Sequence, residues 1–186
     1  IEMNFSCPNV STCDGQIYTQ PDDAALIAEV AKQRIGNVPL LVKIGHFREP
    51  AAIEPLVTAI APFVDAVVST NSVTAQVQAA DGQLYFDGEQ RGICGAGTRN
   101  ASVAQVKKLV EVIQTRAADV AVVGVGGIEH VDDVQQYLQA GAAAVQLATS
   151  IMIRPSVGLE IRSRMADSTM DHDTDQETDG NSQGAR

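Results

Sequence analysis

Val120-Ala121-Val122-Val123-Gly124-Val125-Gly126-Gly127-Ile128 and, beyond a helical stretch from Val131 to Ala140, Ala144-Val145-Gln146-Leu147-Ala148-Thr149-Ser150 decide the fold. Each begins as a short aliphatic run and ends on small, polar or hydroxylated residues. Strand, helix, strand in that order signals a parallel sheet with a crossover helix. The glycines follow a strand and precede a helix, so the backbone can approach a ligand closely and aim N–H groups at an anion. Gln146 to Ser150 adds amides and hydroxyls at the next strand end, where barrel folds hold phosphate. Two consecutive strand ends suited to one phosphate outweigh either alone; a pair of tight turns is the alternative.

The same alternation extends towards the N-terminus. Strands are expected at Ile1 to Phe5, Leu40 to Ile44 and Ala66 to Ser69, besides Val120 to Val123 and Ala144 to Leu147. Helical spacing marks Asp22 to Arg34, Pro50 to Ala61, Ser102 to Arg116 and Ser156 to Met165. Asp22 and Asp23 suit a first turn, Gly36 suits a helix end, and Ser102 is expected as a cap. Asn71 to Asn100 has no strong period, and a stretch of that length in a compact domain is more often functional than accidental. Leu84-Tyr85-Phe86 is expected as a short hairpin strand within it. Ala166 to Arg186 is rich in aspartate with almost no apolar residues and reads as a disordered acidic tail. Its Asp171, Asp173 and Asp175 have the spacing of a calcium loop, but Gln176 stands where the turn glycine belongs and Ser182 where the bidentate glutamate belongs, which rejects that reading. Ile1 enters a strand at once, so the chain is expected to begin in mid-domain, an upstream segment having been lost.

With 186 residues, 45% of them hydrophobic, the chain can bury the core of one domain. Aromatics are only 4% and tryptophan is absent, so that core is aliphatic. A net charge of −10 and a pI near 4.6 argue against a nucleic-acid partner. No apolar stretch has the length of a membrane span and no signal peptide is visible. Cys7, Cys13 and Cys94 form no paired metal-ligand cluster, which fits a reducing, cytoplasmic setting. His46, His130 and His172 have no metal-ligand spacing and are assigned no role; no metal site is expected.

Asn4-Phe5-Ser6-Cys7-Pro8-Asn9 ends the first strand on a thiol flanked by amides. Proline pushes Cys7 towards extended backbone and off any helix, onto a loop at a strand's C-terminal end. There a thiol can serve acid/base or nucleophilic chemistry, or simply close a turn as a small apolar residue. Asn4 and Asn9 offer donors and acceptors suited to the carbonyl and N–H edge of a planar heterocycle. Lys43 lies inside an apolar strand and is costly to bury unpaired; it emerges beside an anion or an electron-rich ring, or snorkels to the rim. Asn71 and Ser72 follow a strand and present polar groups at the same face, or stabilise the turn. Gly92 to Gly97 forms a further close-approach loop, and Arg99 meets phosphate or solvent.

In this order and spacing, Glu2 to Asn9, Val42-Lys43-Ile44, Thr70-Asn71-Ser72, Gly92 to Ala96, and Gly124 to Ile128 with Gln146 to Thr149 resemble the dihydroorotate dehydrogenase family, class 1 in particular. The resemblance covers Ile1 to about Arg164. It implies an α/β fold, a partial (β/α)8 TIM barrel of about five of its eight βα units, strands four to eight. Residues 1–165 are then the C-terminal portion of an FMN-binding barrel and 166–186 the tail. The implied reaction is oxidation of dihydroorotate to orotate in pyrimidine synthesis, Cys7 removing the C5 proton while hydride passes from C6 to flavin N5. The resemblance implies that Asn4, Asn9, Asn71 and Ser72 contact the pyrimidine, with Asn4 also near the flavin. It sets Lys43 at the flavin N1 and O2 edge, and Gly95, Gly126, Gly127 and Thr149 in the flavin and phosphate loops.

Arg99-Asn100 stands where the family usually has Lys-Pro, and Ala148 where it usually has glycine. The first three strands, which carry a further substrate lysine and asparagine, have no counterpart, so the chain is expected to be inactive alone or to need the missing barrel half or a completing subunit. A homodimer and an iron–sulfur electron-transfer subunit are further implied partners; fumarate, NAD and quinone all serve as acceptors in the family, quinone fitting a cysteine base least. The alternatives are a dihydropyrimidine dehydrogenase-like reductase, against which Asn9 speaks because such relatives tend to carry histidine there, and a non-catalytic flavin- or phosphate-binding half-barrel.

Overall fold

The computed structural model describes residues 1–6 and 13–176. Five short strands form one parallel sheet: β1 (Glu2–Asn4), β2 (Leu41–Ile44), β3 (Ala66–Ser69), β6 (Ala121–Val125) and β7 (Ala144–Gln146), paired in that order. The expected strands are therefore all present, within two residues at each end. Between β3 and β6 the chain leaves the sheet to form an antiparallel hairpin of β4 (Val73–Gln76) and β5 (Gln90–Ile93). The crossovers carry helices α1 (Pro21–Ile35), α2 (Ile53–Ile60), α3 (Arg99–Thr115) and α4 (Val131–Gln139); a short α5 (Thr149–Ile153) and a long α6 (Val157–Gln176) follow β7.

Strand residues alternate between two apolar clusters. Val42, Ile44, Val67 and Val122 join the large core beneath the helices, with Leu56, Ile60, Val106, Leu109 and Tyr137. Leu41, Ala66, Val68, Val123 and Val125 make a small second cluster on the opposite face. Burial on both faces is why β3 reads as an unbroken apolar run. The sheet is strongly curled around the second cluster. Four strand spacings would separate the edges of a flat sheet by about 19 Å, yet Gln146 Nε2 on β7 donates to Glu2 Oε2 on β1 at 2.6 Å.

Local chemistry fixes the elements. Asp22 and Asp23 lie in the first turn of α1 and Gly36 closes it, as expected. Asp65 Oδ2 accepts from Leu40 N and from Lys32 Nζ, each at 2.7 Å, and so ties α1 to the start of β2. The Lys32 hydrogen bond, then that from Leu40, holds its carboxyl below the ordinary value.

Three expectations need correction. Ser102 does not cap α3: the turn Ala96–Thr98 runs into a helix that starts at Arg99, and Ser102 is buried inside it. Leu84-Tyr85-Phe86 is not a hairpin strand. Leu84 makes one isolated bridge to Gln78, and Phe86 and Asp87 adopt positive φ, so the pairing falls to Val73–Gln76, whose residues alternate in exposure, and Gln90–Ile93. The last helix does not end at Met165 but continues to Gln176, there being neither glycine nor proline between Gly158 and Gly180 to stop it. Among the described residues, no helix is long and apolar enough to cross a membrane, and no cluster of histidine, cysteine, aspartate and glutamate has the arrangement of a metal site.

Candidate active site

In a parallel sheet every strand points the same way, so the residues that leave the C-terminal ends gather on one rim. Here the ends of β3, β6 and β7 and the turn before α3 surround a cavity of about 50 Å³ that opens to solvent. Asn71, Gly95, Gly126, Gly127 and Thr149 all line it. Five of the residues expected to act are thus brought together from four separate parts of the sequence.

The remaining ones are distributed around it. Asn71 Nδ2 donates to Ser6 O at 2.6 Å, and Ser6 N donates to Asn4 Oδ1 at 3.0 Å. Asn71 and Asn4 therefore grip the same residue, immediately before Cys7. Cys7 and Asn9 themselves lie outside the described residues. Lys43 pairs with Asn4 in the sheet register, and its Nζ lies 3.4 Å from Glu2 Oε1. Because Gln146 lines the cavity and holds the other oxygen of Glu2, the Lys43 ion pair is joined to the cavity wall. Ser72 is half-buried beside Asn71 and faces Gly92, where a Cβ would sit 3.0 Å from its Oγ.

Close approach accounts for the glycines. A Cβ at Gly124 would lie 2.2 Å from Tyr137 Cδ1, so this glycine serves the core and not the cavity. Gly127 has φ +67°, and a Cβ there would meet the carbonyl oxygen of Gly95 at 2.9 Å; the two cavity-lining turns are packed backbone to backbone. Ser150 lines the cavity too, and its Oγ is buried with no hydrogen-bond partner among the described residues. A buried hydroxyl without a partner in a cavity wall is a donor left for a ligand or water to claim.

Several functional groups escape a reading of the sequence. Gln105, buried on α3, accepts from Phe47 N at 2.7 Å and donates to Gly45 O at 2.8 Å and Ser69 Oγ at 2.9 Å, which fastens the ends of β2 and β3 behind the cavity. Tyr137 Oη donates to Gly126 O at 2.7 Å, and burial pushes its hydroxyl pKa up to about 12, so it stays a donor. His46, half-buried beyond β2, has its pKa lowered by burial and then by Arg48. Arg99 meets neither solvent nor cavity foremost: its Nε donates to Gly127 O at 2.7 Å and its Nη1 lies 2.8 Å from Asp133 Oδ1.

The chain is similar to known proteins in sequence and in fold. The dihydroorotate dehydrogenase of Dictyostelium discoideum is 30% identical over 172 residues, 86% of this chain and 45% of that protein. The catalytic subunit of dihydroorotate dehydrogenase B (NAD(+)) from Bacillus pumilus is 27% identical over 163 residues, 87% of this chain and 50% of that one. The crystal structure of Eimeria tenella DHODH in complex with ferulenol has the same fold, with a TM-score of 0.76 at 18% identity over 93% of this chain and 50% of that one. The chain spans about half the length of the relatives it matches. The family model for dihydroorotate dehydrogenase matches residues 1–167, from the strand that leads into Cys7 to α6, and the chain therefore belongs to the dihydroorotate dehydrogenase family.

Proposed function

We propose that residues 1–165 form the C-terminal portion, strands four to eight, of an FMN-dependent (β/α)8 enzyme that oxidises dihydroorotate to orotate in the cytoplasm, with 166–186 an acidic extension outside the barrel. The observation that carries this reading is the convergence of Asn71, Gly95, Gly126, Gly127 and Thr149 on one cavity at the strand ends. The residues suit FMN: the glycine turns leave room for close approach, and Thr149 lines the same cavity with a hydroxyl that can donate to a phosphate. When bound, FMN supplies a hydride acceptor, its N5, for the hydrogen at substrate C6.

The protein's part is to hold the pyrimidine and take a proton. Asn4, Asn9, Asn71 and Ser72 bind its carbonyl and N–H edge, and the grip of Asn4 and Asn71 on Ser6 orients the approach to Cys7. Cys7 thiolate accepts the C5 proton, and departure of hydride from C6 leaves the C5–C6 double bond of orotate. Lys43 presents positive charge at the flavin N1 and O2 edge, with Glu2 and Gln146 orienting it. A working enzyme then includes the other barrel half, in a longer chain or a completing subunit, and a homodimer. The Bacillus pumilus relative is named as a catalytic subunit, which supports a second subunit as a further partner; we propose an iron–sulfur electron-transfer subunit in that place.

The test is anaerobic addition of dihydroorotate to the FMN-loaded protein, with and without the N-terminal half supplied. Loss of the visible flavin bands is expected; bleaching by dihydrouracil instead would move the protein to the dihydropyrimidine branch, and flavin binding without bleaching to a binding module. Cys7→Ser is expected to lower the rate at least tenfold and move the optimum to higher pH, since a hydroxyl needs more base to lose its proton. Unchanged kinetics would remove Cys7 from the role of base.

A further inference from the structure

Two side chains hold the carbonyls of the glycine turn from behind. Tyr137, on α4, donates to Gly126 O, and Arg99, at the start of α3, donates to Gly127 O, each at 2.7 Å. In a trans peptide the C=O and N–H of one unit point in opposite directions. With both carbonyls drawn towards the helices, the Gly127 and Ile128 amides are turned the other way, and both residues line the cavity. Among the described residues neither amide donates to a protein acceptor.

Arg99 is itself fixed. Asp133, 3% exposed, holds its Nη1 with Oδ1 at 2.8 Å, while Asp133 Oδ2 accepts from Glu129 N and His130 N, both at 2.9 Å. Glu129 lies farther off, 3.8 Å from Nη2. The guanidinium is thereby directed at the turn. Ser150, which also lines the cavity, is 9% exposed, and its buried hydroxyl has no partner among the described residues. An acceptor-only group such as a phosphomonoester would satisfy both amides.

We propose that Arg99 and Tyr137 are positioning residues that hold the Gly127 and Ile128 amides towards a phosphomonoester, the FMN phosphate under the reading above on which this inference rests. Arg99 acts through the turn and does not touch the phosphate. Arg99 bridges Gly127 O and Asp133 with separate nitrogens of one planar group, which the single ammonium of a lysine would not do.

FMN and riboflavin differ only by the phosphate, so their affinities, measured by quenching of flavin fluorescence, separate positioning from stability. The wild-type chain is expected to prefer FMN. Tyr137→Phe, which keeps the ring against Gly124, and Arg99→Met with Asp133→Asn, which avoids stranding a buried charge, are each expected to cut the FMN-to-riboflavin preference about tenfold with riboflavin affinity unchanged. A general weakening of the fold would lower both affinities together. Variants that keep the wild-type ratio, or lose both affinities in parallel, overturn the inference while leaving the flavin reading intact. A wild-type chain with no preference for FMN overturns both, and does so before any substitution is made.

Discussion

Gly124 shows how little freedom a single position has in this fold. Tyr137 is fully buried against it, in the place a methyl group would take. Gly124→Ala is expected to destabilise the protein by about 2–3 kcal/mol, the cost of overpacking a rigid site. Urea unfolding measures it, and adding Tyr137→Leu should recover much of the loss; an alanine variant as stable as wild type would show that the ring is free to move. This position also marks where reading the sequence runs out. Gly126, Gly127 and Thr149 were legible because a strand end followed by glycine or hydroxyl is a local pattern. Gly124 belongs to the same cluster yet serves a ring thirteen residues on, which only the crossover of α4 brings back over the strand. Asp133, Gln105 and Glu2 were illegible for the same reason: their roles come from partners that folding supplies.

At the scale of elements, the alternation of aliphatic runs and helical spacing was sufficient for every strand of the parallel sheet, from β3, buried on both faces, to the more exposed edge strands β1 and β7. It failed where local signals compete. Ser102 resembles a cap, but the glycine turn before Arg99 starts the helix earlier, and the four-residue strands of the hairpin are too short to outweigh the aromatic run at Leu84 to Phe86. What holds the elements in place at the rim is Gln105, which links the ends of β2 and β3 to α3. Gln105→Leu leaves the buried Phe47 amide and Gly45 carbonyl without partners and is expected to cost about 2–4 kcal/mol. The loss should appear as a lower urea midpoint with an unchanged slope; a neutral substitution would mean that water replaces the amide.

For the whole molecule, the curled sheet sets β1 and β7 as its two edges and gathers the cavity-lining residues on one rim. The net charge of −10 works against this compact state through self-repulsion. Raising sodium chloride from about 0.02 M to about 0.5 M, which shortens the screening length several-fold, is expected to raise the thermal midpoint by a few degrees; a flat response would mean that the negative charges are already balanced locally. The hairpin has a different bearing. Its ends meet where Val73 pairs with Ile93, so β3 and β6 lie side by side whatever the excursion between them contains. Closing a longer loop costs only about 0.6 kcal/mol for each doubling of length. Evolution can therefore lengthen, shorten or rewrite this segment, which begins and ends at the mouth of the cavity with Asn71 and Cys94, while the sheet beneath is left undisturbed. In a lineage of such chains, this is where new specificities can arise at the least cost to the fold.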